Sequence, residues 1–336
     1  IAILPLLGVG GMELYKAEVP GPTPDRIKPR IAETARTLWK VYLLITCLEV
    51  LFLCGGGMSL FDSLCHTFTT LATGGFSTRN LSIEYYASPY VEGVITVFML
   101  VAGINFSLHY QLLRGNIKGF LKNGEMQFFL AVFLAATLAI TINLRLHLFD
   151  SLLTSFRHAS FQAASILTTT GFSSHNFAAW PFLAQFILLI LMFVGGCTGS
   201  TGGGIKCFRI MLLFKQGYRE IYRMLHPRAV VPVKLGGRSV SSRIVEGVWG
   251  FFFLYFFLFA LNTLVMTLLG SDLVTAISAV ASCIGNIGPG LNAVGPAANY
   301  NHLPALGKWC LTFCMLLGRL EIYTVIVLFV PEFWKK

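Results

Sequence analysis

The chain repeats one twelve-residue pattern three times, as TTLATGGFSTRN at 69–80, SILTTTGFSSHN at 165–176 and SCIGNIGPGLNA at 282–293. The segments align without gaps, and Gly75, Gly171 and Gly288 superimpose at separations of 96 and 117 residues. A hydroxyl residue stands six positions before each of these glycines. Self-similarity of this kind indicates one structural unit that the chain uses three times.

A moderately polar stretch of about a dozen residues precedes each motif and is too short and too rich in hydroxyl groups to cross a bilayer. We predict that it forms a re-entrant helix, and that a glycine turn and a second full helix follow. Non-helical backbone at membrane depth is tolerated only where protein buries it or where it lines water. There its carbonyl oxygens can replace the hydration shell of a cation. A tight turn between interfacial helices is the alternative interpretation.

Composition places these units in a membrane, because 55% of the residues are hydrophobic and only 12% are charged. A typical soluble domain has about 25% charged residues. We therefore predict an all-α integral membrane protein with six full crossings, at 39–54, 89–113, 126–144, 181–205, 244–270 and 304–330. The eight cysteines lie almost entirely in apolar segments and are interpreted as small core residues.

The net charge is +10, and its distribution indicates an orientation. Of the 25 Lys and Arg residues, 18 fall before or at the very start of the first crossing, in two linkers or at the end of the chain, all on one predicted side. The positive-inside rule assigns this side to the cytoplasm. The basic charge is thus accounted for by the membrane and its lipid, and we expect no nucleic acid partner.

The repeat and the crossings divide the chain into segments. We predict the end of a truncated upstream transmembrane helix at 1–12, a cytoplasmic linker at 13–38, a pore repeat at 39–122 (filter near 73–77), a second at 123–217 (filter near 169–173, intramembrane loop 194–206), a basic cytoplasmic linker at 218–243 and a third repeat at 244–336 (filter near 286–290).

The segments TGGFST, TTTGFSS and NIGPG, together with GGCTGSTGGGIK and LLGRLE, resemble the Trk/Ktr/HKT superfamily of cation transporters, and most closely its bacterial potassium-uptake branch. Members have four such units in pseudo-fourfold symmetry around one pore, so the resemblance implies that three of four repeats are present here. It implies a short filter for a transported potassium ion, with no organic cofactor. The filter residues would be Thr73, Gly74, Gly75, Thr169, Thr170, Gly171, Asn286, Ile287 and Gly288.

The resemblance also implies partners and a location. The chain would form a homodimer and lie in the bacterial inner membrane. Its partner would be a cytoplasmic, TrkA-like nucleotide-binding regulatory subunit. Potassium uptake would be channel-like. A sodium- or proton-coupled carrier remains an alternative, and a non-conducting scaffold or an intramembrane enzyme is a more distant one. The sequence offers no Ser/His/Asp or metal-ligand constellation at a common depth for an enzyme.

A glycine-rich segment, VGGCTGSTGGGIK at 194–206, interrupts an apolar stretch that runs from about 181 to 217. So many glycines do not sustain a helix. The segment fails the spacing of a phosphate-binding loop, and a packing break at small residues is the remaining alternative. The resemblance makes it a gating loop below the filter. Its gate residues would be Gly199, Gly202, Gly203, Gly204 and Lys206.

Arg319 lies fifteen residues into the last predicted crossing, roughly 22 Å along a helix. An arginine at this depth costs about 2.5–3.5 kcal/mol unless it faces water or a counter-charge. The resemblance makes it an electrostatic barrier that works with the glycine loop. An ion pair with Glu321 or Glu246 is the alternative. Three aspartates near the re-entrant helices, Asp62, Asp150 and Asp272, are predicted to cap those helices.

Overall fold

The computed structural model describes residues 31–229, 231–236 and 238–335. The segment predicted at 1–12 and most of the linker predicted at 13–38 lie outside this part. The helices are α1 (Ile31–Gly55), α2 (Leu60–Leu71), α3 (Pro89–Gly103), α4 (Phe106–Leu113), α5 (Ile117–Leu121), α6 (Gly124–His147), α7 (Leu152–Leu167), α8 (Phe182–Val194), α9 (Cys207–Leu225), α10 (Ser242–Leu268), α11 (Leu273–Gly285), α12 (Ala305–Arg319), α13 (Ile322–Ile326) and α14 (Pro331–Trp334).

Strand structure in the described residues is confined to one antiparallel pair, β1 (Lys234–Leu235) and β2 (Arg238–Ser239). This hairpin lies in the linker between α9 and α10. Short 3₁₀ segments follow the glycine motifs, for example at Ser82–Tyr86 and Phe177–Ala179. The predicted all-α class is therefore confirmed, with one small hairpin outside the apolar helices.

Three of the described helices, α1, α6 and α10, are long and apolar enough to cross a membrane as single helices. Two bent pairs are long and apolar enough only when their two helices are taken together: α3 meets α4 at 103°, and α12 meets the segment Ile322–Phe329 at 115°. At most five of the six predicted crossings therefore have a candidate among the described residues, because α8, within 181–205, has only 13 residues. The prediction of one continuous helix was therefore wrong at 89–113 and at 304–330. The predicted interruption of 181–217 is present, because α8 ends at Val194 and α9 begins at Cys207.

The first bend has its cause in a distant segment. Ile104 is extended, so the helical hydrogen bonds stop there. The glycine-rich loop takes over the freed groups: the Cys197 N–H donates to the Gly103 carbonyl at 2.8 Å, and the Phe106 N–H donates to the Gly199 carbonyl at 3.2 Å. Backbone groups at membrane depth must be paired within the protein, and here a second segment pairs them.

The second bend follows the close approach of α12 to the third motif. A Cβ at Gly318 would overlap the carbonyl oxygen of Ile284, so only glycine fits there. With its amide oriented to satisfy both neighbours, the Asn286 side chain donates to the Met315 carbonyl at 3.2 Å and accepts from the Arg319 N–H at 3.1 Å. A side chain that enters a helical ladder in this way is a recognised cause of a sharp kink.

The re-entrant helices are α2, α7 and α11, with 12, 16 and 13 residues. At 1.5 Å per residue they are roughly 18–24 Å long and are shorter than the bilayer core. Asp272 caps α11 by accepting the Thr275 N–H at 3.1 Å, as predicted. The prediction fails for Asp150, because the N-cap of α7 is Ser151, and Ser59 rather than Asp62 caps α2.

The largest buried cluster surrounds α7 and includes Phe129, Phe161 and Phe172, each without solvent exposure. Apolar side chains on the outside of the bundle, such as Phe182, remain exposed to the surroundings, as expected for a surface that lipid covers. The interpretation of the cysteines as core residues holds for Cys197, Cys207, Cys283 and Cys314, whereas Cys47 is exposed and three others are half-buried.

Candidate functional site

The three glycine motifs adopt the same unusual backbone conformation, and residues 73–75, 169–171 and 286–288 are called the filter loops below. The first residue of each loop has a positive φ, at 51° for Thr73, 60° for Thr169 and 57° for Asn286. The third residue is a glycine with a φ of 64°, 90° and 109° in the three loops. Side chains other than glycine rarely occupy this region. Three copies of one rare conformation indicate a shared requirement on the backbone.

This conformation turns the N–H groups of the filter loops back toward the re-entrant helices. The N–H groups of Gly74 and Gly75 both point to the Thr69 carbonyl, at 2.7 and 3.3 Å. Thr170 and Gly171 do the same to Ser165, at 2.9 and 3.3 Å. In the third loop the Ile287 N–H donates to the Ser282 carbonyl at 2.9 Å.

The carbonyl oxygens of the filter loops consequently point away from the re-entrant helices. In a trans peptide the C=O is opposite to the N–H. The carbonyls paired with the donating N–H groups belong to Thr73, Gly74, Thr169, Thr170 and Asn286. In all three loops the acceptor of these N–H groups is the main-chain carbonyl of the hydroxyl residue that stands six positions before the glycine.

The filter loops contact one another in chain order. A Cβ on Gly75 would overlap the carbonyl oxygen of Thr170, and a Cβ on Gly171 would overlap the carbonyl oxygen of Ile287. No described atom lies within 4 Å of the corresponding position on Gly288. A carbonyl oxygen of the second and of the third loop therefore lies directly against a glycine of the preceding loop, and the absence of side chains at the two glycines permits the approach. The Gly288 carbonyl accepts a hydrogen bond from the Tyr300 hydroxyl at 2.8 Å.

Side-chain hydrogen bonds hold the segment after each filter loop against its re-entrant helix. The Thr69 hydroxyl donates to the Phe76 carbonyl at 2.7 Å, and the Ser165 hydroxyl donates to the Phe172 carbonyl at 2.6 Å. In the third repeat the Ser278 hydroxyl accepts from the Leu291 N–H at 2.9 Å. These bonds fix the backbone that carries the carbonyl oxygens.

Asp62, in the first turn of α2, makes a further link of this kind. It accepts a hydrogen bond from the Thr78 hydroxyl at 2.6 Å and pairs with Arg79 at 3.2 Å. The Thr78 hydrogen bond is the largest cause of a pKa of about 2 for this carboxyl group. In the third repeat, hydrogen bonds led by Thr275 lower the pKa of Asp272. Both aspartates thus brace the start of a re-entrant helix in addition to balancing its dipole.

The segment between α8 and α9, residues 195–206, is called the intramembrane loop below, and it contacts all three filter loops. The Thr73 hydroxyl donates to the Thr201 carbonyl at 3.0 Å, and the Gly203 N–H donates to the Thr169 hydroxyl at 2.7 Å. A Cβ on Gly203 would lie 3.3 Å from the Asn286 Cβ. The loop thus lies against the first residue of every filter loop.

The glycines predicted in this loop occupy close approaches. A Cβ on Gly202 would lie 3.0 Å from the Thr168 carbonyl oxygen, and Gly199, with a φ of 78°, packs against the Asn105 side chain. Gly204 has a φ of 74°. Lys206 ends the loop at a φ of 76° and interacts electrostatically with Glu321, Arg209 and other nearby charges.

Arg319 reaches the same loop. One of its guanidinium nitrogens donates to the Thr201 carbonyl at 3.1 Å. The alternative partner Glu321 binds Arg209 instead, at 2.6 Å, and the Arg209 guanidinium also lies 3.9 Å from the centre of the Phe251 ring. Arg319 and the glycine loop are therefore in direct contact, and their role as two parts of one gate stays a prediction.

The sequence analysis missed two groups of residues that position this site. The first is the Arg209–Glu321 pair, which no spacing rule connects because its members are 112 residues apart. The second is Glu125 of α6, whose carboxyl group binds the backbone of the intramembrane loop. In the sequence it resembles an ordinary acidic residue in the first turn of a helix. Near the same loop, the Asn105 side chain accepts the Ser107 N–H at 2.8 Å, and His109 bonds to the Val101 carbonyl at 2.9 Å.

The chain is similar to known cation transport proteins over its entire length. The family model described as "TrkH: Cation transport protein" matches residues 1–336. The Trk system potassium uptake protein TrkH of Salmonella typhimurium is 45% identical over 339 residues, which cover 100% of this chain and 70% of that protein. The TrkG protein of Escherichia coli is 41% identical and is covered to 69%.

A solved structure shows the same fold. The crystal structure of the potassium transporter TrkH from Vibrio parahaemolyticus superimposes with a TM-score of 0.85 at 40% sequence identity, over 99% of this chain and 68% of that one. The chain belongs to the TrkH family of cation transport proteins.

Proposed function

We propose that this chain conducts potassium ions into the cell through a channel-like pore lined by the filter loops. The observation that carries the proposal is the repeated backbone geometry, in which backbone carbonyls of the three loops turn away from their helices and the loops are in contact at Gly75 and Gly171. Carbonyl oxygens arranged in this way replace the hydration shell of a cation. The relatives named as potassium uptake proteins favour potassium over other cations.

The chemistry of the filter loops supports a weakly hydrated monovalent cation. No loop carries a charged side chain; the side chains present are those of Thr, Asn and Ile. A divalent ion would favour carboxylate ligands. Among the described residues, moreover, no group of three His, Cys, Asp or Glu side chains forms a metal site. The nine predicted filter residues are therefore proposed as ligands through their backbone and hydroxyl oxygens.

We further propose that the intramembrane loop and Arg319 close the pathway on the cytoplasmic side. The loop lies against the first residue of each filter loop, and Arg319 adds a fixed positive charge beside it. A cation that leaves the filter would meet this charge, and two like charges repel each other. The basic linkers and the C-terminus would face the cytoplasm by the positive-inside rule. There a nucleotide-binding regulatory subunit would act on a homodimer.

The proposal is tested by rubidium uptake into bacteria that lack their own potassium systems and express the full natural chain. We expect uptake that unlabelled potassium blocks and sodium blocks only weakly. Equal competition by both ions would contradict a potassium-selective filter, and uptake that requires a sodium or proton gradient would favour a coupled carrier. No uptake despite membrane expression would reject conduction by this chain alone.

The gate is tested separately with Arg319→Ala. Because the variant removes the positive charge and the contact with the Thr201 carbonyl, we expect resting rubidium uptake to rise several-fold. Lys308→Ala is the matched control, since this residue also lies on α12 and its side chain donates to the Asn301 carbonyl at 2.8 Å, near the helix start. A fall in maximal uptake with unchanged resting uptake would reject the role of Arg319 as a barrier.

A further inference from the structure

The helix α9 begins without a cap of its own. Lys206 occupies the N-cap position, and its side chain makes no capping hydrogen bond. The first N–H groups of a helix have no intrahelical acceptor and need one from elsewhere, above all where water is excluded. α9 starts directly after the intramembrane loop, so whatever supplies this acceptor also fixes one end of the loop.

Glu125, at the start of α6, supplies it. Its Oε1 atom accepts the N–H of Phe208, in the first turn of α9, at 3.2 Å. The same oxygen accepts the N–H of Thr198, near the start of the loop, at 2.6 Å. One carboxyl oxygen thus joins two points of the chain that are ten residues apart and lie on either side of the glycines proposed as the gate.

The two ends of the intramembrane loop, residues 195–198 and 206–208, lie close together beside Glu125 and are called the neck below. The Cys207 N–H donates to the Gly196 carbonyl at 3.0 Å, and the Cys207 thiol lies 3.4 Å from the Gly195 carbonyl oxygen. The two chain segments of the neck are therefore in contact, and Glu125 lies against both. Glycines that leave a loop free to change shape require a fixed point at its base if the loop is to have one defined closed position.

We propose that Glu125 is a positioning residue that holds the intramembrane loop in its closed conformation by binding both ends of its neck. The proposal rests on the proposed function in one respect, that the loop is the gate. A displacement of α9 away from α6 would break the bond to Phe208, leave Thr198 held at one point only and let the loop move out from beneath the filter loops. Glu125 would then be the contact through which movement of α9 reaches the gate.

Two native cysteines report on this neck without any measurement of transport. Cys197 has 1% and Cys207 has 0% of its surface exposed. In Glu125→Ala we expect both thiols of the purified full chain to react with N-ethylmaleimide at least tenfold faster, as followed by peptide mass spectrometry. Glu125→Gln should stay within about twofold of the unmodified protein, because its amide oxygen can still accept both N–H groups.

The controls separate release of the neck from general loosening. Gln127→Ala alters the exposed side chain two positions along α6, and Cys283, buried in the re-entrant helix α11, reports on the rest of the fold. In Gln127→Ala, Cys197 and Cys207 should be labelled at the rate of the unmodified protein. Cys283 should be labelled at the same rate in every variant. The proposed role of Glu125 in holding the neck is called the clasp. It is rejected if Cys197 and Cys207 stay protected in Glu125→Ala, or if Cys283 reacts equally fast.

Glu125→Gln decides the question if the alanine variant does not accumulate. Protection of both thiols in that variant supports the clasp, and rapid labelling rejects it in favour of a purely electrostatic role toward Lys206. Rubidium uptake by the same variants tests the gate independently. Exposed thiols with unchanged resting uptake would support the role of Glu125 in holding the neck but reject the loop as the gate. Raised uptake with protected thiols would reject that role of Glu125.

Discussion

Two adjacent glycines of the first filter loop provide a controlled test of the carbonyl arrangement. Gly75 has a φ of 64°, and a Cβ there would overlap the Thr170 carbonyl oxygen. Gly74 has no positive φ, and its Cβ would make ordinary contacts, with the Phe76 ring at 3.4 Å and the Thr69 carbonyl oxygen at 3.8 Å. Gly75→Ala and Gly74→Ala thus add the same methyl group, but only the first displaces a carbonyl of the neighbouring loop.

The magnitude follows from two terms. An alanine held in the left-handed region costs about 1–2 kcal/mol. The overlap adds to this until the Thr170 carbonyl rotates away, which removes one oxygen from the proposed ion path. If about 2 kcal/mol of this total is lost from ion binding, affinity falls about thirtyfold, since every 1.4 kcal/mol corresponds to a factor of ten. Gly74→Ala should have a smaller effect, because it keeps an allowed φ and makes only ordinary contacts.

The assay is rubidium uptake by the full chain in potassium-uptake-deficient cells, measured over a range of rubidium concentrations with sodium as competitor. Gly75→Ala should require about thirtyfold more rubidium for half-maximal uptake and should lose part of its preference over sodium. Equal membrane levels of both variants are the necessary control. The carbonyl arrangement would be refuted if the two variants behaved alike, or if Gly74→Ala were the more damaged of the two.

Two further predictions concern the supports of the site. Arg209→Ala should lower the free energy of unfolding by roughly 2–3 kcal/mol, somewhat below the cost of breaking a fully buried pair, because Arg209 and Glu321 are only 12% and 18% exposed. Thermal unfolding in detergent measures this change. If the double variant with Glu321→Gln loses the sum of both single effects, the two residues do not stabilise the protein as a pair. The hydrogen bond from Thr78 lowers the pKa of Asp62 to about 2, so its stabilisation is complete above the ordinary aspartate pKa of about 3.9 and is lost as the pH falls toward 2. Unfolding temperatures between pH 6 and pH 2.5 should therefore drop more in the unmodified protein than in Asp62→Asn, and parallel curves would contradict the assignment.

The sequence predicted the parts of this site that local chemistry determines. Three registered glycines identified the filter loops, because a positive φ has few solutions in residue type, and the run of glycines at 194–206 identified a helix break for the same reason. The all-α class and the membrane location followed from composition and from the lengths of the apolar segments. Each of these signals is contained in a short stretch of the chain.

The bends after α3 and α12 could not be predicted in this way, because their causes lie far along the chain. The residues around Ile104 are apolar and suit a continuous helix, yet the loop near Cys197 accepts and donates the backbone hydrogen bonds that the helix would otherwise make. At the second bend the partner is Asn286 of a filter loop, which bonds to the α12 backbone. In both cases a polar segment at membrane depth obtains its hydrogen bonds from a neighbouring helix, and that helix bends as a result.

The helices bend close to the filter loops for the same reason. A filter loop turns its N–H groups toward its own re-entrant helix, so it has none to spare for the segment beneath it. The intramembrane loop therefore obtains its hydrogen bonds from Gly103, Thr73, Thr169 and the carboxyl group of Glu125. Opening the pathway would break several of these bonds together, and each must find another partner or water. A loop held by many exchangeable bonds and anchored at its neck can have two defined positions, which is what a gate requires.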